Sequence, residues 1–575
     1  MTNWTKVDTE SPLSEARGGM RAAAAPAALR GDVGFASKCG RRRTRRGAVG
    51  AQGRGARPRG DEGTAIFLGM TGGERRGARR RTSASSTFRV AATDADAFSS
   101  RGPTFTSDDD YRAGGERNLR RLTFAVCLSM VSFGCATGAI AGALLHLEAS
   151  NTALGALTVA AKSRIIAATP LGALLGALIA GPFADKTGRR SSILVGNVAF
   201  LLAAALMFTA VTPTQLTAGR LVAGLAVGFS TSLCTVYIGE CAPAATRGAL
   251  TSYAPLGVTI GILASYFASL PLTNVVGGWR LTLAMCAVPA TAQLCLRHWL
   301  VESPRWLAER RGDLEGARRC LRFLGQRDAD FATLADNDES VGLNRGLKGS
   351  GGLYRPPRES VTFTALVTER RYRKPALIAC GLNALQQLCG INVVVYYAPR
   401  ILNQLGFTPV SAIGFVCLIG VAQLVVGSRI GKIIDAVGRR PVALGGIAGL
   451  AVGLAMLAAS SHLTPAGHAW APWIAVLGIL VFRLSFSASM APIPYVVSAE
   501  VFPSEARSVG AAAGAAAREV ANVVVTGSFI PLVNALGATG TWVLYVAVVC
   551  VAFFVVRATL PETRGRTLES MEDGV

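Results

Sequence analysis

Charge is scarce in this chain. Asp, Glu, Lys and Arg make up 16% of its 575 residues, against 50% hydrophobic residues and a mean hydropathy of +0.39. That composition excludes an ordinary water-soluble enzyme, whose surface needs about a quarter of its residues charged. Histidine is scarcer still, at four residues. His146 and His298 fall near the ends of apolar stretches, His462 and His468 share a polar loop, and no pair has metal-ligand spacing. The twelve cysteines include no CxxC pair, and Cys127, Cys234, Cys286 and Cys417 lie inside apolar runs. They read as small packing residues, not as zinc ligands or disulfide partners. There is no glycine-rich phosphate loop and no nucleophile elbow. No metal, cofactor or catalytic residue is expected, and the chain does not read as an enzyme.

Against that scarcity stands a net charge of +24. Residues 21–90 hold 17 Lys plus Arg and 4 Asp plus Glu, so +13 of the total comes from one short segment. Residues 1–118 are rich in Arg, Gly, Ala and Ser without apolar periodicity, and read as a disordered basic region. The acid-poor, Ser/Ala-rich stretch resembles an organelle transit peptide. Asp8, Glu10 and Glu15 fit that reading only if translation starts at Met20. Nucleic acid is not an expected partner, because no aromatic residues interleave with the arginines.

After Arg121 come twelve apolar stretches of about 20 residues, the length of a membrane-crossing helix. Their centres lie near Val131, Ala173, Ala203, Gly228, Ile260, Ala290, Ala384, Leu418, Ala451, Phe486, Ala516 and Val548. Gly and Ala dominate them, as helices that pack closely in lipid require. A polar insert at 302–375 separates an N-terminal six-helix bundle (119–301) from a C-terminal one (376–560), and a short tail follows at 561–575. The expected fold is an all-α integral membrane protein with twelve transmembrane helices in two six-helix halves. The loop after the second span carries Asp185, Lys186, Arg189 and Arg190, and that after the eighth carries Asp435, Arg439 and Arg440. By the positive-inside rule these loops and both termini face the cytosol or its equivalent.

Three charged motifs occur once in each half. DKTGRR (185–190) pairs with DAVGRR (435–440), ECAPAATR (240–247) with EVFPSEAR (500–507), and Glu302 to Arg305 in VESPRWL with Glu562 to Arg564 in LPETRGR. Their collinear order marks an internal duplication. Six spans per half give both copies the same orientation, related by an axis along the membrane normal.

With these strings, and with GRLVAGLAVG followed by YIGECAPAATRGAL and QQLCGINVVVYYAP, residues 120–570 resemble the major facilitator superfamily and, within it, the sugar porters. GILASYFASLPL followed by WR, and LSFS, resemble the plastid glucose transporters, which carry transit peptides. A plastid envelope is therefore the expected address, with plasma or vacuolar membrane as alternatives. The resemblance implies a monomer in a lipid bilayer that moves a small solute, a hexose or similar sugar, by alternating access. It also implies an inner lattice of Asp185, Arg189, Arg190, Glu240, Arg247, Glu302, Arg305, Asp435, Arg439, Arg440, Glu500, Arg507 and Glu562. In that lattice arginines bind the glutamates as charge-assisted pairs, holding the halves together while the cavity faces outward.

The seventh span carries Gln386, Gln387 and Asn392, followed by Tyr396 and Tyr397. Amides offer both donors and acceptors to a neutral polyhydroxyl ligand without the cost of burying charge. The motif matches the sugar porters' QQxxGxN, which implies sugar contact, and Asn522 matches a further family Asn. Departures are Gln423 for a family Asn, Tyr495 for a Trp, Thr235 for a Pro, Pro255 for a sugar-binding Gln, and Ala136 where proton-coupled members have Asp. The lost Asp points to facilitative transport. Arg518 and Glu519 stand where the family has a polar residue and a Trp. Charges near the bilayer centre cost about 2.5 to 3.5 kcal/mol each, so these and Arg483 should be paired or functional. Other readings stay open: a salt bridge from Glu519 to Arg518 or Arg483, an anionic solute held by Arg518, proton coupling through Glu519, or a non-transporting solute sensor.

Overall fold

The computed structural model describes residues 108–147, 154–155, 157–326, 362–503, 506–560 and 562. The basic region up to 107, the middle of the polar insert and the tail beyond 562 lie outside the described residues, as do the side chains of Asp435 and Arg507. The described chain is helical, without a strand among the described residues.

Ten described helices are long and apolar enough to cross a membrane, and they account for the twelve spans once two breaks are recognised. The first five spans are Asp108–Leu147, Val159–Thr187, Arg189–Phe208, Pro213–Cys241 and Tyr253–Leu272. The sixth is two short helices, Gly278–Ala284 and Ala287–Cys295, neither long enough alone. The seventh is broken between Arg370–Leu388 and Ile391–Gln404 at Gly390, whose φ of 86° only glycine adopts readily and where a Cβ would meet the Tyr545 ring at 3.0 Å. The eighth and ninth are Pro409–Val437 and Arg439–Leu463, and the tenth comprises Ala471–Ala488 and Ile493–Glu500. The eleventh and twelfth run together as Arg507–Thr559, parted only at non-helical Gly537.

The first helix begins at Asp108, eleven residues before the expected bundle boundary. Its extension packs on the insert, where a Cβ at Gly115 would lie 2.1 Å from Gly325 Cα and Asn118 Nδ2 donates to the Phe323 carbonyl at 3.0 Å. The fourth and eighth spans start alike, with Thr212 and Thr408 as caps accepting from Gln215 and Ser411 N–H groups, each at 3.2 Å, and proline in the first helical position.

Small residues let the spans touch. Gly172 and Gly224 face each other across the second and fourth, and a Cβ on either would lie 2.2 Å from a backbone oxygen of the other helix. Gly134 and Gly261 do the same across the first and fifth at 2.1 Å. Without a hydrophobic drive in lipid, such backbone contact supplies the dispersion and polar attraction that hold the helices together.

One continuous core joins the halves, combining Ala139 and Leu147 of the first span with Tyr266 of the fifth and Val394 and Tyr397 of the seventh. Tyr266 Oη donates to the Val395 carbonyl at 3.0 Å across the interface. Two smaller cores lie beside the charged motifs, one with Leu122, Ile193, Tyr237 and Leu300 and the other with Leu366, Tyr372 and Phe502.

Candidate substrate site and inner charge lattice

The break at Gly390 places amides from both parts of the seventh span beside the eleventh. Gln386 Nε2 donates to the Met490 carbonyl at 2.6 Å, where the tenth span is interrupted and its backbone oxygens are free to accept. Gln387 Nε2 donates to Gln386 Oε1 at 3.4 Å. Asn392 Nδ2 donates to Gln387 Oε1 at 2.8 Å and to Asn522 Oδ1 at 2.6 Å. Asn522 Nδ2 donates to Glu519 Oε2 at 3.3 Å. The four amides are thus one hydrogen-bonded chain, with Asn392 half-buried at its middle.

Glu519 is the only carboxylate among the described residues that is buried as a whole residue. Arg518 meets its Oε1 through Nη2 at 2.7 Å and Nε at 3.0 Å. The Arg518 Nη1 also donates to the Tyr495 hydroxyl, and its guanidinium lies 5.4 Å from that ring's centroid. Arg483 does not join this pair. Its Nε donates to Gln423 Oε1 at 2.8 Å and its Nη1 approaches the Tyr266 hydroxyl at 3.4 Å. Gln423 is therefore engaged with Arg483, apart from the amide chain. Tyr396, 2% exposed, sits in the large apolar core that joins the halves.

One buried charge escaped the sequence reading. Arg220 is 0% exposed in the fourth span, with Nη1 donating to the Ala136 carbonyl at 2.8 Å and no partner for Nε or Nη2 among the described residues. It lies eight residues into its helix, where the sequence looks like an interfacial end; a guanidinium in GRLVAGLAVG was the available signal. Also unforeseen is a buried knot in the N-terminal half. Ser129 Oγ and Asn197 Nδ2 both donate to Gln293 Oε1, at 2.5 and 2.6 Å.

At the inner end, Arg189 binds Glu240 through Nε at 3.1 Å and Nη2 at 3.2 Å, and Asp185 through Nη1 at 2.9 Å. Asp185 also receives Arg310 at 3.3 Å. The repeat holds, because Arg439 meets Glu500 at 3.0 Å. Glu302 and Glu562 meet the backbone of the two arginine motifs. Glu302 Oε1 accepts the backbone N–H groups of Arg189 at 2.7 Å, Arg190 at 3.1 Å and Ser303 at 3.0 Å. Glu562 accepts those of Arg439 and Arg440, each at 3.0 Å. The acids cap the third and ninth helices, whose first N–H groups lack intrahelical partners and carry partial positive charge. Burial pushes the Glu302 carboxyl up, with the backbone bonds opposing. Two expected members stand apart: Arg247 donates to the Ala242 carbonyl at 3.4 Å, and Arg305 pairs with Glu309 at 2.5 Å on the surface. Arg440 Nη2 holds the Arg557 carbonyl at 2.7 Å.

The family model described as "Sugar (and other) transporter" matches residues 122–574. The chain belongs to the sugar transporter family. Myo-inositol transporter 1A of Cryptococcus neoformans is 32% identical, over 80% of this chain and 82% of its own length. Plastidic glucose transporter 4 of Arabidopsis thaliana is 29% identical, over 78% of each chain. Among solved structures, the inward-open xylose transporter XylE from E. coli aligns with a TM-score of 0.64 and 25% identity, covering 79% of this chain and 99% of that one. As a member of that family this chain is a transmembrane transporter with the major facilitator fold.

Proposed function

We propose that this sugar transporter family member moves a neutral polyhydroxylated solute, a hexose or a cyclitol of similar size, by alternating access and down its gradient. The observation that carries the reading is the amide chain of Gln386, Gln387, Asn392 and Asn522, with Asn392 half-buried at the junction of two helices. Amides match hydroxyl groups in number and polarity and need no counter-ion. The names of the relatives, inositol and glucose transporters, support a ligand of this size and chemistry. Facilitation is inferred because Ala136 offers Arg220 only a backbone carbonyl where the proton-coupled sugar porters carry Asp. The paired charges at the inner end serve as the gate, exchanging partners as that side opens and closes.

One observation favours a second reading, an anionic solute. Arg220, Arg483 and Arg518 are buried in the described spans against the single carboxylate of Glu519. Uptake into liposomes of labelled glucose, myo-inositol, a sugar phosphate and an organic anion, with and without a pH gradient, separates the readings. Saturable, gradient-independent uptake of the neutral solutes is expected; uptake of the anions alone overturns the sugar reading.

The plastid envelope is the proposed address, supported by the basic, Ser/Ala-rich composition of residues 21–90 and the similarity to a plastidic relative. A fluorescent reporter fused to residues 1–118 should enter plastids, and a cell-surface signal would rule this out.

A further inference from the structure

The amide chain ends on groups that can only accept. At one end are the Met490 and Ala491 carbonyls, at 2.6 and 3.4 Å from Gln386 Nε2. At the other is the Glu519 carboxylate, whose counter-charge Arg518 supplies. An ionised carboxylate has no hydrogen to donate, and neither has a carbonyl. These two ends fix the direction of every bond between them. Gln386 must turn its nitrogen to Met490, so its oxygen accepts from Gln387, whose own oxygen accepts from Asn392. From the other side, Asn522 must turn its nitrogen to Glu519, so its oxygen also accepts from Asn392. Asn392 therefore spends both amide hydrogens inside the protein. Its Oδ1, which no described residue donates to, is what remains for a ligand.

We propose that Glu519 is a specificity-determining positioning residue: through Asn522 it locks Asn392 with its carbonyl oxygen toward the substrate, so that the site requires a hydroxyl that donates. The proposal rests on the sugar-binding reading of the amide chain. Arg518 cancels the charge of Glu519, so the pair polarises the relay while leaving the site able to take a neutral solute. With a neutral amide at 519, which can donate or accept, that end of the relay no longer dictates a direction. Asn522 can then reverse and turn its N–H to Asn392, which leaves only the branch through Gln387, with its long 3.4 Å bond to Gln386, to hold Asn392; where that branch yields, the ligand meets an N–H instead.

The test uses the full chain in liposomes with the transported sugar and its monodeoxy and monofluoro analogues as competitors. Fluorine can accept weakly but cannot donate. In the wild type, one ring position should show a KM penalty of about tenfold or more on replacing hydroxyl by fluorine, the scale of one lost hydrogen bond. Glu519→Gln should bring that penalty to within about threefold, and Glu519→Asp should retain it. The double variant R518Q/E519Q, which leaves no unpaired buried charge, gives the same readout if E519Q does not fold. An unchanged hydroxyl-to-fluorine ratio in these variants, with KM for the parent sugar merely raised, overturns the proposal. So does pH-gradient-driven uptake in the wild type that Glu519→Gln abolishes without altering the ratio, since Glu519 would then be a proton carrier. Failure of the wild type to transport any sugar falsifies the sugar reading itself.

Discussion

Glu302 holds Arg189 by its backbone, not by its side chain: the 2.7 Å bond runs from the Arg189 N–H to Glu302 Oε1, while the guanidinium turns to Glu240 and Asp185. One residue thus joins three carboxylates. Gly188 makes this possible twice over, since its φ is 94° and a Cβ there would lie 2.4 Å from Glu302 Oε2. Gly438 repeats the arrangement with φ 107° and 2.7 Å to Glu562 Oε2.

Gly188→Ala should therefore destabilise through both backbone strain and expulsion of the cap, by about 2 to 3 kcal/mol from typical costs of each. The expected result is a lower Tm in detergent, with Gly438→Ala following. Gly181→Ala, where nothing lies within 4 Å of the added Cβ, is the control and should change little.

Burial raises the Glu302 carboxyl above its ordinary range in the folded protein. Between the unfolded and folded values the native state holds the extra proton, so this group's contribution to stability is full at low pH and is lost as pH rises through the folded value. Glu302→Gln removes that dependence. The difference in Tm between wild type and variant should shift in favour of the variant as pH rises from about 4 toward neutrality, measured by thermal unfolding in detergent.

Removing one partner of the Arg518–Glu519 pair leaves an uncompensated charge among buried groups. Arg518→Gln should cost about 3 to 5 kcal/mol, and the double variant R518Q/E519Q should recover most of it. A double-mutant cycle by thermal unfolding checks this. Equal losses in the single and double variants would mean that the pair is not coupled.

Asn392→Ala takes the central donor from the relay and the exposed acceptor from the site. It should raise KM for the transported polyol about tenfold or more and also lower Tm, because the Gln387 and Asn522 oxygens it abandons belong to buried residues and an unpaired buried acceptor costs about 1 to 3 kcal/mol. Ligand-binding titration of purified protein checks it independently of flux.

How much of this was legible in the sequence differs by residue. The twelve spans follow from apolar length, a quantity that the bilayer selects strongly, and the duplicated motifs from charge placement. The amides of the seventh span could be picked out because polar groups are rare in lipid-spanning helices. Their linkage into a chain could not, since it depends on the break at Gly390 and on Met490, whose carbonyl is released by an interruption in another helix. Glu302 as a helix cap was hidden for a related reason: a carboxylate beside an Arg-Arg motif suggests side-chain pairing, and only the turn geometry at Gly188 shows that the backbone N–H groups arrive first. Arg220 was obscured by its nearness to the start of its span.

Arg220 also offers a gain-of-function test. Its Nη1 reaches the Ala136 carbonyl at 2.8 Å, while Nε and Nη2 meet no described partner. A carboxylate at position 136 would stand beside these donors and form a charge-assisted pair in this conformation. Such a pair must break or be neutralised when the first and fourth spans move apart, and a proton on the carboxylate is the least costly way to neutralise it in a low-dielectric interior. Ala136→Asp should therefore convert equilibrating uptake into uptake that concentrates the sugar when an inward proton gradient is applied. The accumulation ratio in liposomes, with and without a protonophore, measures this. If the variant folds and still only equilibrates its substrate, the residue at 136 is not what separates facilitation from coupling in this transporter.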